Sequence, residues 1–137
     1  MDLMNSMAIS ASGMKVQGTR LRIISENLAN ANSTAASPGD LPYRRKVILF
    51  ENVLDQEMGA EKVRVKKVDV DRSDFPRRYD PGHPSADADG YVLLPNVNTL
   101  NESMDMREAQ RSYEANLNTI DATRQMIMRT VDLLRSN

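Results

Sequence analysis

NESMDMREAQRSYEANLNTIDATRQMIMRTVDLLR, Asn101 to Arg135, runs for 35 residues without a glycine or a proline. Met106, Ala109, Tyr113, Leu117, Ile120, Thr123, Ile127, Val131 and Leu134 fall three or four apart, so on a 3.6-residue helix they form one stripe. Met106, Tyr113, Ile120, Ile127 and Leu134 also recur every seven residues, the period at which a helix keeps one seam turned to a neighbour lying nearly along its axis. This stretch predicts the longest helix of the chain and requires a helical partner. Asn98 and Asn101, in the polar segment NVNTLNES, are the candidate N-caps.

The partner is the first segment. From Leu3 to Asn30, Met4, Met7, Ala11, Met14, Gly18, Leu21, Ser25 and Leu28 keep the same alternating spacing. Ala, Gly and Ser let helices approach closely but supply little buried area, and methionine adapts to irregular gaps. Burying the large side chains of this segment contributes on the order of 10 to 20 kcal/mol gross. Fixing its backbone costs on the order of 30 to 50 kcal/mol before hydrogen bonds are counted. One partner stripe is therefore too little, and the expectation is a segment poorly ordered in the free chain that becomes a helix when neighbouring copies bury its other faces.

Between the helices the period changes. ANSTAASPGDLP (Ala31 to Pro42) breaks the first helix. Tyr43 to Phe50 and Lys62 to Val70 read as strands, the second with a slip of parity near Lys66 and Lys67 that suggests a bulge. Glu51 to Ala60 reads as loop or helical turn. Arg72 to Asp89 reads as irregular surface chain, and Tyr91 to Leu94 as a short strand ended by Pro95. The expected fold is α+β, with terminal helices pairing as an antiparallel coiled coil around a small β-rich middle. Its divisions are residues 1–32, 33–97 and 98–137.

Composition narrows the function. The chain has 137 residues, 40% hydrophobic and 4% aromatic, which is room for about one domain with a small core and argues against a large enzyme. The net charge of −1 gives no reason to expect a polyanion, although residues 43–78 hold ten basic and seven acidic side chains and residues 79–137 five and nine. With no cysteine, neither a disulfide framework nor a thiolate metal site exists. No run of 18 apolar residues is present to span a bilayer, and MDLMNSMAIS lacks the basic and long apolar regions of a secretory signal.

Three constellations could in principle carry chemistry. SADADG (Ser85 to Gly90) starts like a calcium loop, but the twelfth position is Asn96 where a bidentate carboxylate is needed, so a surface turn is the better reading. His83, the single histidine, has no second imidazole for a metal and no nucleophile elbow or phosphate loop near it, which favours turn packing. Arg44, Arg45, Lys46, Arg64, Lys66 and Lys67 offer a basic face with only Tyr43 and Phe50 for base stacking, so a solvated sheet face or ion pairing explains them better than nucleic acid. Asn27, Asn30, Asn32, Asn116 and Asn118 lie close to the apolar stripes, where buried amides can specify register. The residues alone thus describe a two-helix interaction protein with a β insert.

The chain also resembles the bacterial flagellar basal-body rod proteins of the proximal-rod FlgC type. SGMKVQGTRLRIISENLANANS (Ser12 to Ser33) is similar to the N-terminal signature of axial rod and hook proteins, with a Gln, an Arg and an N-L-A-N element at the spacing of that group. PYRRKVILF (Pro42 to Phe50) and YDPGHPSADADGYVLLPNVN (Tyr79 to Asn98) resemble the FlgC type itself, and EAQRSYEAN (Glu108 to Asn116) matches its E-A-x-R-x-Y-E-A-N pattern. Ser25-Glu26-Asn27, Leu41, Gln110 and Ser112 depart from the usual residues, which touches details of subunit contacts.

The resemblance implies a structural subunit of a periplasm-spanning tube that transmits torque and passes exported subunits through its lumen. It implies export through the flagellar type III apparatus without a cleaved signal peptide. The implied partners are copies of the chain, other rod proteins, the rod-base adapter protein and the MS ring, with no nucleic acid and no direct membrane insertion. No catalytic residue, cofactor or metal is implied. The residues expected to carry assembly are Met4, Met7, Met14, Leu21, Asn27, Leu28 and Asn30 on the first helix, with Tyr113, Asn116, Leu117, Ile120, Ile127 and Leu134 on the second. The rival readings are a helical adaptor that does not polymerise and a small enzyme or metal-binding module built on Asp80 to Gly90.

Overall fold

The computed structural model describes residues 3–135. Its order is α1 (Leu3–Asn30), β1 (Lys46–Asp55), β2 (Ala60–Val70), β3 (Arg77–Tyr79), β4 (Tyr91–Leu93) and α2 (Thr99–Arg135). α1 ends where expected: Asn30 directly precedes the breaker segment, and its carbonyl accepts hydrogen bonds from the Ser33 backbone N–H at 3.1 Å and the Ser33 hydroxyl at 2.8 Å. Asn98 caps α2, its Oδ1 accepting from the N–H groups of Leu100 and Asn101 at 3.0 and 3.1 Å. Asn101, the other candidate, lies inside the helix.

The described chain divides into two compact units, one of residues 3–21, 49–67 and 107–135 and one of residues 22–48 and 68–106. In the first unit the two helices are antiparallel. Gly13 lies beside the Asn116 side chain, Gly18 beside Tyr113, and Arg20 Nη2 is 3.5 Å from Glu108 Oε2, so partners descend α2 as they ascend α1. The hairpin of this unit lies on α1. Asn5 Nδ2 donates to the Met58 carbonyl at 3.2 Å, and the Val63 N–H donates to Ser12 Oγ at 3.4 Å.

β1 runs on through Glu51 to Asp55, so Glu51 to Ala60, which by sequence reads as loop or helical turn, is strand followed by a tight connection. Asp55 Oδ1 accepts from the N–H groups of Glu57 and Met58, and Gly59 at φ 60 takes the left-handed position that returns the chain to β2. Along β2 the side-chain parity changes: Val63 and Val65 are half-buried, whereas Val68 and Val70 are 42% and 40% exposed.

The second unit adds a strand absent from the sequence reading. β3, inside the stretch expected to be irregular, pairs antiparallel with β4 in the register Arg77↔Leu93, Arg78↔Val92 and Tyr79↔Tyr91. Two exposed arginines and a tyrosine carry no alternating apolar signal, so only the pairing defines this strand. Val92 is fully buried beneath it, and Tyr79 meets Tyr91 edge to face with ring centroids 5.3 Å apart.

The stripe assigned to α1 is corrected in part. Ala11 and Ser25 are exposed, while Ser10, Val16, Ile23, Ile24 and Asn27 are buried. α1 carries apolar side chains on more than one face, and the strands and loops cover a face that a two-helix reading leaves to solvent.

Candidate functional site: a buried polar node and the uncovered helix ends

A buried, hydrogen-bonded cluster lies in the second unit, where the last turns of α1, the start of β1 and the first turn of α2 converge. Asn27 is 1% exposed and Glu102 fully buried. Every hydrogen-bonding position of the Asn27 amide is used. Its Nδ2 donates to the Lys46 carbonyl at 2.9 Å and to Glu102 Oε2 at 3.0 Å. Its Oδ1 accepts from the Tyr43 hydroxyl at 2.8 Å and from the Lys46 N–H at 2.9 Å. The amide thus binds both backbone groups of Lys46, as a neighbouring strand would.

Glu102 accepts a second, charge-assisted bond from Arg45 Nε. Arg45 is also 3.7 Å from Asp71 and 3.7 Å from Asp105, and its backbone N–H donates to Asn96 Oδ1 at 2.8 Å. Asn96 Nδ2 in turn reaches the carbonyls of Asp71 and Ser73. At the rim, Lys46 Nζ is 2.8 Å from Glu26 Oε2. That contact holds the Glu26 carboxyl below its ordinary range and the Lys46 ammonium above its own. Burial pushes the Tyr43 hydroxyl up.

The basic face of the sequence is largely consumed in this way. Arg44 lies 4.2 Å over the Phe75 ring and donates to the carbonyls of Asp71 and Ser73, while Arg64 and Lys66 both reach Glu51. Arg45, Lys46, Arg64 and Lys66 are ion-paired with carboxylates of the chain, which lowers the net positive charge this face offers to a nucleic-acid backbone.

The other constellations are turns. Asp87 Oδ1 accepts from the N–H groups of Asp89 and Tyr91 at 3.0 and 2.8 Å, so it organises its own loop, with Gly90 at φ 82. His83 Nδ1 accepts from the Ser85 N–H at 3.1 Å, and its Nε2 lies 3.4 Å from Thr34 Oγ1, which is turn packing as expected. Among the described residues no group of three or more His, Asp or Glu is arranged to hold a metal ion, and no helix is long and apolar enough to cross a membrane.

Comparison with known proteins agrees with the motifs. A family model described as flagellar basal body rod FlgEFG protein C-terminal matches residues 88–133. The flagellar basal-body rod protein FlgC of Agrobacterium fabrum is 56% identical over 129 residues, 94% of this chain and 93% of that protein. The FlgC of Bacillus subtilis is 36% identical over 148 residues, covering 97% of this chain and 99% of its own, and that of Escherichia coli O6:H1 is 38% identical over 135 residues, covering 97% and 98%. The chain belongs to the FlgC family of flagellar basal-body rod proteins.

The FlgC-like motifs occupy definite places. PYRRK supplies Tyr43, Arg45 and Lys46 to the node, and N-L-A-N supplies Asn27. The E-A-x-R-x-Y-E-A-N pattern places Ala109 at 0% exposure, Tyr113 on Gly18 and Asn116 on Gly13.

Of the thirteen residues named for assembly, Asn27 alone is fully buried. Met7, Met14, Leu21, Leu28, Asn30, Tyr113, Asn116, Ile120 and Ile127 are half-buried, and Met4, Leu117 and Leu134 are exposed. Asn30 turns back on its own helix, its Nδ2 donating to the Glu26 carbonyl at 2.8 Å.

Sequence reasoning missed Glu102. The signal was present, because the α2 stripe stepped back four residues from Met106 lands on it, and a carboxylate on an apolar stripe calls for a buried cation or amide.

Proposed function

We propose that the chain is a structural subunit of the proximal rod that polymerises through its terminal helices into a tubular drive shaft. The observation that carries this reading is the end of α2. Every residue from Met128 to Arg135 is exposed, including Met128 at 55%, Val131 at 46%, Leu133 at 69% and Leu134 at 75%. These side chains lie on more than one face, and a helix apolar on several faces is one that other protein covers. Met4, 60% exposed at the start of α1, extends the same pattern to the other terminus.

Membership of a rod-protein family supports assembly with other flagellar basal-body proteins; the partners in this reading are copies of this chain, other rod proteins, the rod-base adapter protein and the MS ring. Torque passes along the helical array, and later subunits pass through its lumen. The route to the rod is the flagellar type III apparatus, and the working site is the periplasm-spanning part of the basal body.

The test is Leu134→Asp. Because Leu134 is exposed, the free chain should keep its helix content while rods and swimming are lost. Normal rods carrying this variant would overturn the reading. Limited proteolysis adds a second arm: the helix ends should be cut in the free chain and protected in isolated basal bodies.

A further inference from the structure

We propose that the Asn27–Glu102 pair, with Arg45 behind it, is the register key of the helix pair: it selects one alignment of α1 against α2 among alignments that apolar packing alone fits nearly equally well. The ambiguity lies in the sequence. Met106, Tyr113, Ile120 and Ile127 repeat every seven residues on α2, and beside them Ala109, Asn116 and Thr123 repeat at the same interval with small side chains. The slot opposite Gly13, taken by Asn116, is therefore matched at Ala109 or Thr123 after a slip of one heptad. Such repeats tolerate slippage unless a polar residue marks one position.

Glu102 is that mark. It stands seven residues before Ala109, in the position that small side chains occupy along the rest of α2. On α1 the matching series is Gly13, Arg20 and Asn27, also seven apart. A slip in one direction brings Ala109 to Asn27, leaving a saturated amide without its carboxylate and sending Glu102 past Asn30, where α1 ends. A slip in the other offers Glu102 to Arg20 but carries Asn27 to Pro95, before α2 begins at Thr99. Both leave buried polar groups unpaired, a cost that falls on the wrong alignments alone. Arg45 and the Lys46 backbone add a third body that only the native register satisfies, because both are bound to the pair.

The experiment uses spin labels on the full-length free chain at Ser25 and Ser103, which are exposed positions of α1 and α2 in the second unit. With the native pair, the distance distribution should show one population. In the Asn27→Leu, Glu102→Leu double variant a second population should appear at comparable weight, reflecting an axial shift of about 10 Å for seven residues. In Glu102→Gln, which keeps shape but sets an amide donor against a donor, a smaller second population should appear. A single unchanged distance in both variants overturns the proposal. So does loss of helix in both, because the node then holds the fold without choosing an alignment. Register is read here without polymerisation, so failure of the rod reading leaves this result standing, and the converse is equally true.

Discussion

Replacing Asn27 by leucine tests how much of the second unit depends on one side chain. The swap keeps the branched shape and the heavy-atom count of the side chain, so it opens no large cavity. It removes four hydrogen bonds and leaves the Lys46 N–H and carbonyl, the Tyr43 hydroxyl and one Glu102 oxygen without their partner. At about 1 kcal/mol net for each bond the loss is about 4 kcal/mol, and the added apolar contact returns about 1. A net loss of about 3 kcal/mol is a large fraction of a typical 5 to 15 kcal/mol stability. Urea unfolding followed by far-UV circular dichroism reads it directly. With a slope of about 1.5 kcal/mol per M, the midpoint should fall by about 2 M. Tyr43→Phe, which removes one of the four bonds, should cost about 1 kcal/mol and give an internal scale. A midpoint shift below about 0.5 M for Asn27→Leu would refute the view that this amide organises the unit.

Other outcomes follow from single contacts. A Cβ at Gly13 would lie 2.9 Å from Asn116 Nδ2, so Gly13→Ala gains about 1 kcal/mol of helix propensity but displaces an amide bonded at 2.9 Å to the Ser112 carbonyl; the net change should be near zero, and the full gain should emerge in an Asn116→Ala background in a double-mutant cycle. The Glu26–Lys46 pair sets a pH window. The Glu26 carboxyl is depressed, so its contribution holds above the ordinary value of 4.5 and fades as pH falls through the folded value; the Lys46 ammonium is raised, so its contribution holds below 10.5 and fades as pH rises through its own. Lys46→Met should therefore lower stability between the two limbs and flatten both, while changing little at the extremes of pH. Burial raises the Tyr43 hydroxyl, so ultraviolet titration should show one tyrosine ionising late, and Tyr43→Phe should remove that component.

The parts legible in sequence are those governed by local periodicity and punctuation. α1 was expected over Leu3 to Asn30 and forms there; α2 begins at Thr99, two residues ahead of the stretch that announced it, under the Asn98 cap. A 3.6-residue pattern and its terminators are properties of neighbouring residues, so no distant contact is needed to read them. The turn roles of Asp87 and His83 were legible for the same reason. β3 was not, because a three-residue strand of Arg77, Arg78 and Tyr79 exists through its pairing with β4.

The sequence by itself determined the two helices, the β-rich middle, the motifs of the rod family and the apolar character of the α2 end. Only the folded chain shows which α1 face is covered, because Val16, Ile23 and Asn27 are buried while Ala11 and Ser25 are exposed. The tertiary structure also decided the node. Asn27 is 75 residues from Glu102 and 19 from Lys46, and hydrogen-bond saturation depends on directions and distances that no spacing in the chain encodes.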